Sequence, residues 1–471
     1  MLEIIIAFVW FVGIVFSQEY FVDKRLNCNN VWGSVSNGTS TEYIKFLGLF
    51  NTTQECIDAC VLNSTNELRC ETYTYHTSQF DGESFRLNCF GRFGYPLWTP
   101  VEQDNINCGR IIWNCQSDMD CSLNGKCQSN GNCTCRTGWS GYKCDTLNLL
   151  DGVRNTGYNI TESDGNRTSS WGAAVLVDVN DTNDDTKYHM YLAEFNNHCG
   201  VNSWTLNSVV THAQSTKGLN GPFKRVDVIH EHFAHEPDAI YGPNGEIVIY
   251  YSTFDYGNMT ECTCWDGSTR NRCYNKLPNP AKFIEVMQYS NGMNGPWSEI
   301  EVVFPVRTMD TNLAGIIKPD GSFVGFLRIW TTGSEIHLVT ASDWKNGTTY
   351  TQEDKILFPE LTPILTEDPF LYMDCNGGYH AIFHNMSPND IQTLCGGHAY
   401  STDGINWVYG GAIFGNTVHF TDGTTKTYTR RERPHFVFGD DGCTPIALTN
   451  GVQYGGQFGD ATFSLLQPVK H

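Results

Sequence analysis

The stretch His235–Tyr251 reads HEPDAIYGPNGEIVIYY and contains the pattern that decides the fold. It opens on the polar tetrapeptide His-Glu-Pro-Asp, continues into an apolar run, turns at Asn244-Gly245 and returns through Ile247–Tyr251. Asn-Gly between two apolar segments is a strong signal for a β-hairpin. The stretch therefore predicts two antiparallel strands, the first of which begins with titratable side chains.

This unit recurs five times between residues 147 and 471, each time as a polar or proline-containing opening, an apolar run, a glycine turn and a second apolar strand. Further strand-like segments follow in four of the units. Four strands per unit at a period of roughly 55–75 residues are typical of a β-propeller. We therefore expect a mainly β fold with five four-stranded blades; a two-sheet β-sandwich is the alternative. The innermost strands are expected to begin near Trp171, Pro237, Leu313, Pro369 and Pro434.

The repeat resembles the five-bladed propellers of glycoside hydrolase family 43 and the arabinanase/invertase superfamily. The resemblance covers residues 147–471 and is carried by the openings and by outer strands of the form Ala-x-Ser followed by Gly-Pro-Trp or Gly-Pro-Phe. It implies glycosidic chemistry, in which one carboxylic acid protonates the leaving oxygen and a carboxylate activates water or attacks. The family's acid is a Glu that opens the fourth blade within Glu-x-Pro, which matches Glu367-Asp368-Pro369. Glu367 is thus the expected proton donor, with a raised pKa; otherwise it caps turn amides or pairs with an arginine.

Two other family carboxylates are displaced or missing. The family's base is an Asp that opens the first blade, where this chain has Ser169-Ser170-Trp171-Gly172. A third carboxylate opens the third blade, where Asn312 stands here and Asp310 lies two residues earlier. If the chain is an enzyme, we expect Asp238 or Glu194 to supply the base.

In a propeller the inner strands begin at one end of the central channel, here called the mouth, so residues far apart in sequence can surround one ligand. Titratable side chains are concentrated at these positions. Trp171 is expected to stack on the apolar face of a sugar ring, or else to pack between blades. The polar residues expected to bind substrate are His235, Arg328, Asp368, His384, His398 and Arg433.

No metal and no cofactor is predicted for the mouth. Cys262-Thr263-Cys264 and Cys273 are interpreted as part of a disulfide-tied insertion, and the pairing of the propeller cysteines stays open. Because the chain has nineteen cysteines, at least one thiol is unpaired or is paired between chains.

A compact six-cysteine segment lies ahead of the propeller. Its cysteines are separated by five, five, five, one and eight residues, and it ends in Gly138-Trp139-Ser140-Gly141 before the last cysteine. Residues 111–145 thereby resemble an EGF-like module, which implies the pairs Cys115–Cys127, Cys121–Cys133 and Cys135–Cys144. Calcium-binding modules of this type carry an acidic cluster before the first cysteine, and Ile111–Asn114 has none, so no calcium is predicted.

Residues 20–110 hold six more cysteines. The segment from Thr53 predicts a short helix in which Cys56 and Cys60 lie on one face, and Cys70 precedes a strand-like run. This pattern resembles a PAN/Apple-type module, a fold that binds protein or carbohydrate. Another disulfide-rich β module is the alternative.

The N-terminal sequence and the cysteines indicate an exported chain. Ile4–Phe16 is an apolar run of signal-peptide length, so residues 1–17 are interpreted as a signal peptide cleaved after Ser17, although Glu3 replaces the usual basic residue. No later segment is long enough to span a bilayer. Nineteen cysteines in such a chain imply disulfides. Ten sequons indicate glycosylation, at Asn37, Asn51, Asn63, Asn132, Asn159, Asn166, Asn180, Asn258, Asn346 and Asn385.

The formal net charge of −21 argues against nucleic-acid binding, because phosphates would be repelled. Two functions remain open for a secreted chain. It is a glycosidase acting on a polysaccharide or glycan, or it is a non-catalytic carbohydrate-binding adhesin whose propeller has lost the family base. The Apple-like and EGF-like modules suit targeting or adhesion and would contact extracellular proteins.

Overall fold

The computed structural model describes residues 20–23, 44–49, 53–62, 70–76, 88–93, 106–158, 167–231, 233–254, 262–264, 277, 282–308, 311–330, 334–358, 365–386, 395–454 and 461–471. The expected signal peptide and Asp310 lie outside these ranges. The chain divides into two compact units. The first runs to Cys135 and includes Gly141–Cys144, and the second comprises Arg136–Ser140 and Asp145–His471.

The first unit begins with a five-stranded antiparallel sheet in the spatial order β1-β5-β3-β4-β2. Its strands are β1 (Tyr20–Asp23), β2 (Ile44–Leu49), β3 (Cys70–His76), β4 (Asn88–Phe93) and β5 (Ile106–Trp113). Helix α1 (Thr53–Leu62) carries Cys56 and Cys60, which are both buried and both disulfide-bonded. The predicted helix and the predicted strand after Cys70 are confirmed.

The six-cysteine segment pairs as Cys115–Cys127, Cys121–Cys133 and Cys135–Cys144, which confirms the predicted connectivity. Its regular structure includes the 3-10 turn Asp118–Cys121 and a hairpin of β6 (Gly125–Cys127) and β7 (Cys133–Cys135). So short a segment buries little apolar surface. The three disulfides therefore stabilise it instead, typically by about 2–4 kcal/mol each.

The second unit is a β-propeller of four four-stranded sheets and one three-stranded sheet. The first blade consists of β10 (Ser170–Val177), β11 (Tyr188–Phe195), β12 (Ser208–Ser215) and β13 (Phe223–His230). The second consists of β14 (Ala234–Tyr241), β15 (Ile247–Thr253), β16 (Lys282–Ser290) and β17 (Glu301–Thr308). The third blade consists of β18 (Thr311–Ile317), β19 (Phe323–Trp330), β20 (Ser334–Ala341) and β21 (Thr351–Leu357). The fourth consists of β22 (Leu365–Met373), β23 (Tyr379–Met386), β24 (Gly396–Ser401) and β25 (Val408–Phe414). The fifth blade is β28 (Arg430–Phe438), β29 (Pro445–Tyr454) and β30 (Ala461–Pro468).

Smaller elements lie before the first blade, within blades and between the fourth and fifth blades. They are the hairpins β8 (Trp139–Ser140) with β9 (Thr146–Leu147) and β26 (Thr417–His419) with β27 (Thr425–Thr427), helix α2 (Trp204–Asn207), and 3-10 turns at Asn196–His198, Val201–Ser203 and Gly347–Thr349. Within the described ranges, no helix combines the length and the apolar character needed to cross a bilayer.

The first strand of each blade lines the channel. Strands β10, β14, β18, β22 and β28 each lie against the next, and β28 lies against β10, so the five form a closed ring. They begin at Ser170, Ala234, Thr311, Leu365 and Arg430. The predicted five blades and the predicted inner strands are confirmed.

The prediction of four strands in every blade is wrong for the fifth. The place outside β30 is taken by the chain that precedes β10, through the isolated bridges Tyr158–Ser464 and Leu149–Val469. The Gln467 side chain adds a hydrogen bond of 2.7 Å to the Leu150 carbonyl. Residues from the beginning of the unit thus cover the edge of its last blade and close the ring.

The blades pack face to face through apolar side chains. A strand with one face in solvent alternates between buried and exposed residues, whereas every residue of β10 is buried because both of its faces are covered. Between the second and third blades, the Phe323 ring lies 5.3 Å from Tyr250 and 5.1 Å from Tyr350, measured between ring centroids. Burying one such side chain contributes about 1.5–3 kcal/mol. These interfaces hold the starts of the inner strands in fixed positions.

Disulfides also tie the blades together. Cys199–Cys264 joins the β11–β12 connection to the β15–β16 connection, and Cys375–Cys443 joins the inner hairpin turns of the fourth and fifth blades. Cys262 is disulfide-bonded as well, as expected of a tied insertion; Cys273 lies outside the described residues. Among the cysteines that the structure describes, Cys395 is a free, buried thiol.

Four of the sequons fall within the described residues. Asn132, Asn180 and Asn346 are exposed, whereas Asn385 is buried. The Asn385 Nδ2 atom, to which a glycan would be attached, donates a hydrogen bond of 3.1 Å to the Tyr409 hydroxyl. Asn385 is therefore a packing residue in the folded propeller and not an accessible acceptor.

Candidate functional site

Each inner strand contains one left-handed residue at the same place near its start. A β-bulge accompanies it in all five blades, because the pairing with the second strand shifts there. Bulges re-aim side chains, and left-handed residues other than glycine are uncommon outside turns and functional sites. Five equivalent bulges therefore place four side chains and one glycine at the mouth, at Gly172 (φ +63°), Glu236 (+61°), Asn312 (+65°), Asp368 (+54°) and Arg433 (+49°).

Arg433 crosses the channel axis. Its Nη1 atom lies 3.6 Å from the Glu236 carboxylate and 3.4 Å from that of Asp368. The fifth blade, which carries Arg433, does not adjoin the second, so the contact with Glu236 spans the ring. Gly172 makes this possible, because a Cβ atom there would lie 2.8 Å from the Cβ and Nε atoms of Arg433.

Asp368 is the acceptor that anchors this network. Its carboxylate accepts hydrogen bonds from Asn312 Nδ2 at 2.7 Å and from the Arg433 backbone N–H at 3.2 Å. Burial and the neighbouring Glu367 raise the pKa of Asp368 above its usual range, although these donors favour the charged form. Asp368 thus links three consecutive blades and fixes the position of Arg433.

Glu367 lies beside this network and is held by two cationic groups. His384 Nδ1 donates to its carboxylate at 3.1 Å, and the Arg328 guanidinium lies 3.6 Å away. Burial alone would raise the pKa of Glu367, but the His384 hydrogen bond and the Arg328 charge outweigh it and lower that pKa. The direction is opposite to the rise expected of a resting proton donor.

Glu432 completes the cluster from the fifth blade, where it holds the place equivalent to Glu367. One ligand atom each of Glu367, Asp368, His384 and Glu432 lie within 4.8 Å of one another. Burial raises the pKa of Glu432, against the opposing charges of His384 and Arg430. Despite burial, the carboxylates of Glu432 and Glu367 raise the pKa of His384 to about 9, so it is an imidazolium at neutral pH. Two equivalent glutamates thereby acquire opposite tendencies to ionise.

A second layer lies deeper in the channel and contains Asp238. Its carboxylate accepts from the Gly315 N–H at 3.3 Å and lies 3.4 Å from His435 Nε2, whose ring packs 3.7 Å from Phe370. Glu285 is buried on β16 of the second blade, where it accepts a hydrogen bond from the Leu313 N–H of the third blade and desolvation raises its pKa to about 8. The contacts of Asp238 are therefore with this deeper layer and not with the Glu367 cluster.

Of the ten residues predicted from sequence, the structure brings five into one network, namely Arg328, Glu367, Asp368, His384 and Arg433. Two others, Glu194 and His398, make their contacts elsewhere in the unit, and His235 lies at the edge of the network. Glu194 pairs with Arg225 and accepts from Thr211 within the first blade. His398 lies 3.1 Å from His380 on the outer side of β23. His235 Nδ1 lies 2.6 Å from Ser208 Oγ, and its Nε2 atom lies 3.9 Å from the carboxylate of Glu236, which contacts Arg433.

Trp171 has 3% of its surface exposed. It packs in an apolar cluster with Phe195, Cys199 and Val201, and its ring lies against Gly451. A ring so covered presents no free face to a sugar in this conformation. The structure favours the packing role over the stacking role for Trp171.

Glu236 and Glu432 are site residues to which the sequence assigned no role, although both belong to the titratable side chains that are concentrated at the strand starts. A positional signal for Glu236 was present, because it immediately precedes Pro237 as Asp368 precedes Pro369 and Arg433 precedes Pro434. Aligning the units on these prolines places Glu236 among the bulge residues. Glu432 then falls one residue earlier, at the place of Glu367.

The four-residue cluster contains donor atoms that could hold a cation. Two features of its surroundings argue for an acid–base site instead. Arg328 and Arg433 already supply positive charge to the carboxylates, and His384 would first have to lose its proton. His380 and His384 are four residues apart but do not meet at one site, because His380 contacts His398 and His384 contacts Glu367.

No family model matches the chain, and no curated protein matches it. Among solved structures, a family 117 glycoside hydrolase, Zg3597 from the marine bacterium Zobellia galactanivorans, shares 11% identity over 69% of this chain and 91% of its own, with a TM-score of 0.47. A thermostable family-43 glycoside hydrolase shares 11% identity over 64% and 89%, with a TM-score of 0.42. An endo-arabinase from Bacteroides thetaiotaomicron shares 13% over 69% and 96%, with a TM-score of 0.38. Likeness at this level does not extend to activity, and the five-bladed architecture rests on the strand order described above.

Proposed function

We propose that the propeller is a carbohydrate-active domain that hydrolyses a glycosidic bond at its mouth. One observation carries the proposal. Glu367 and Glu432 open neighbouring blades, have carboxylate oxygens within 4.8 Å of each other, and have pKa values displaced in opposite directions. Neighbouring carboxyl groups whose pKa values are pushed apart are the arrangement that acid–base catalysis requires.

In the proposed reaction Glu432 is the acid and Glu367 is the carboxylate. Glu432 gives its proton to the glycosidic oxygen as the bond to the anomeric carbon breaks, and Glu367 attacks that carbon. Water then displaces Glu367, returning one proton to Glu432 and a hydroxyl group to the sugar. Two carboxyl groups about 5 Å apart are typical of such retaining enzymes, whereas inverting enzymes need roughly 6.5–9.5 Å to admit water.

The test is hydrolysis by the purified full chain. The substrates are arabinan, xylan and galactan oligosaccharides with the matching aryl glycosides, and proton NMR reports the anomer released first. We expect cleavage with retention, and Glu367→Gln, which removes the attacking carboxylate, should lower turnover to near the limit of detection. Glu246→Gln is the matched control, because Glu246 is a buried, lysine-paired carboxylate at the far end of the second blade. Equal turnover in both variants would remove Glu367 from the mechanism.

Sugar binding without cleavage is the second candidate. One observation favours it, since the first blade opens on Trp171-Gly172 without a carboxylate and the space there is filled by Arg433. Under this alternative the wild type binds an oligosaccharide and releases no product, and Glu367→Gln leaves binding intact.

We also propose that the chain is secreted, with the Apple-like and EGF-like modules serving to target or attach the propeller. The support is the disulfide content of both units, because disulfides persist in oxidising compartments. Expression in a secretory host should yield glycosylated chain in the medium. Retention of the leader, measured by N-terminal sequencing, would contradict cleavage after Ser17.

A further inference from the structure

Trp330 is an exposed aromatic side chain at the mouth. It is the last residue of β19, two residues beyond Arg328, which pairs with Thr311 at the start of the inner strand β18. The direction of β19 therefore places Trp330 on the rim of the mouth. Its exposed fraction is 45%, whereas Tyr241, another exposed aromatic of this unit, lies at the far end of β14 and bonds to the Val177 carbonyl.

The indole is connected to the acid–base cluster through one residue. The Arg328 guanidinium carbon lies 5.6 Å from the centre of the Trp330 ring, and Arg328 Nη1 lies 3.6 Å from the Glu367 carboxylate. A cation within about 6 Å of an aromatic ring is attracted to it, which helps to hold the ring. Trp330, Arg328 and Glu367 thus form a continuous line from the rim to the cluster.

These groups match the two surfaces of a sugar. An indole packs on the apolar C–H face of a pyranose or furanose ring, and a guanidinium donates hydrogen bonds to hydroxyl oxygens. Arg328 is already paired with Glu367, so a uronate would compete with that carboxylate and meet its charge. The line therefore suits a neutral sugar better than an acidic one.

We propose that Trp330 and Arg328 form a binding subsite for a neutral sugar ring next to the one that contacts Glu367. The inference rests on the proposed function for the location of the substrate. It assigns sugar stacking to the third blade and not to the first, where Trp171 was expected to stack and is buried.

The test is calorimetric titration of the full-length Glu432→Gln protein, in which turnover is suppressed and the pair between Arg328 and Glu367 is kept. The probes are arabinohexaose, xylohexaose, galactohexaose and hexagalacturonate. We expect one neutral hexasaccharide to bind, and Trp330→Ala to weaken it about 3- to 10-fold. Trp330→Phe keeps an aromatic face and should stay within about twofold of the parent. Ile405→Ala, an exposed apolar residue at the far end of the fourth blade, is the control and should leave binding unchanged.

The possible outcomes separate the sugar subsite at Trp330 from the proposed hydrolysis. An unchanged dissociation constant for Trp330→Ala would overturn the subsite, as would tighter binding of hexagalacturonate than of every neutral probe or no binding of any probe. Weakened binding by Trp330→Ala together with no hydrolysis by the wild type would support the subsite and refute the proposed hydrolysis. Hydrolysis lost in Glu367→Gln, with binding insensitive to Trp330, would do the reverse.

Discussion

The first and fourth blades open with the same backbone and opposite side chains. Both inner strands carry a left-handed residue at a bulge, Gly172 in the first and Asp368 in the fourth. The residue before it is Trp171, buried in an apolar cluster, in one case and Glu367, bound to His384, in the other. The repeated backbone therefore decides where a side chain points, and the residue in each blade decides whether that place holds packing or charge.

The two openings depend on each other through Arg433. The fourth blade supplies the carboxylate that holds the guanidinium, and the first supplies a glycine that leaves room for it. The uncharged opening of the first blade is thus part of the charged site that the fourth blade forms with Arg433.

Removing the shared cation should have the largest effect. Arg433→Met leaves the partly buried carboxylates of Glu236 and Asp368 without their common partner, and breaking a buried ion pair costs about 3–5 kcal/mol. Urea denaturation measures the free energy of unfolding. Arg154→Ala is the control, because its pair with Asp422 is exposed and such pairs contribute at most about 1 kcal/mol. Equal losses in both variants would show that the contact across the axis does not stabilise the ring.

The charged opening should also show its own pH dependence. The pKa of His384 is raised from 6.5 to about 9, so its stabilising contribution is complete below pH 6.5 and is lost as the pH rises through 9. The loss is of the order of 3 kcal/mol and should be absent in His384→Gln. Burial lowers the pKa of His380, on the same strand, to about 3, so its effect has the opposite sign and destabilises the fold as the pH falls from 6.5 toward 3. An alkaline loss of stability that persists in His384→Gln would contradict the assignment.

A methyl group in the uncharged opening should have a smaller effect. Gly172→Ala places a Cβ on a residue with φ of +63° and within 2.8 Å of Arg433, which should lower stability by about 1–3 kcal/mol. Gly245→Ala is the matched control, since its φ is +85° and nothing lies within 4 Å of the added atom. It reports the backbone strain alone. If the two variants lose equal stability, contact with Arg433 is not the reason that position 172 needs a glycine.

The sequence predicted the parts of the fold that repeat. Asn244-Gly245 and its counterparts predicted the inner hairpins, and the resemblance of residues 111–145 to an EGF-like module implied the three disulfide pairs in that segment. The closing of the fifth blade could not be predicted, because Tyr158 joins β30 and Leu149 joins Val469 just after it through single bridges, with no alternating pattern. The alternation of apolar residues in a sequence indicates where strands lie, but it does not indicate which segment pairs with the outer edge of a blade.

The site was predicted where a residue type coincided with a strand start, as for Glu367, Asp368 and Arg433. Its charge balance was not, because the pKa of Glu367 depends on Arg328 in the neighbouring blade. The role of Gly172 depends likewise on a side chain more than 250 residues away in the chain. Contacts across the channel follow from the closure of the ring and leave no local signal.

The central claim is that Glu367 and Glu432, which hold equivalent places in neighbouring blades, perform opposite tasks. The direct measurement is kcat/KM of Glu432→Gln and Glu367→Gln on an oligosaccharide and on its dinitrophenyl glycoside, whose leaving group needs no proton. We predict that Glu432→Gln loses roughly 10²–10⁴-fold on the oligosaccharide and little on the dinitrophenyl glycoside, whereas Glu367→Gln loses activity on both. The reverse pattern, with Glu367→Gln rescued by the activated leaving group and Glu432→Gln impaired on both substrates, would contradict the account and make Glu367 the proton donor.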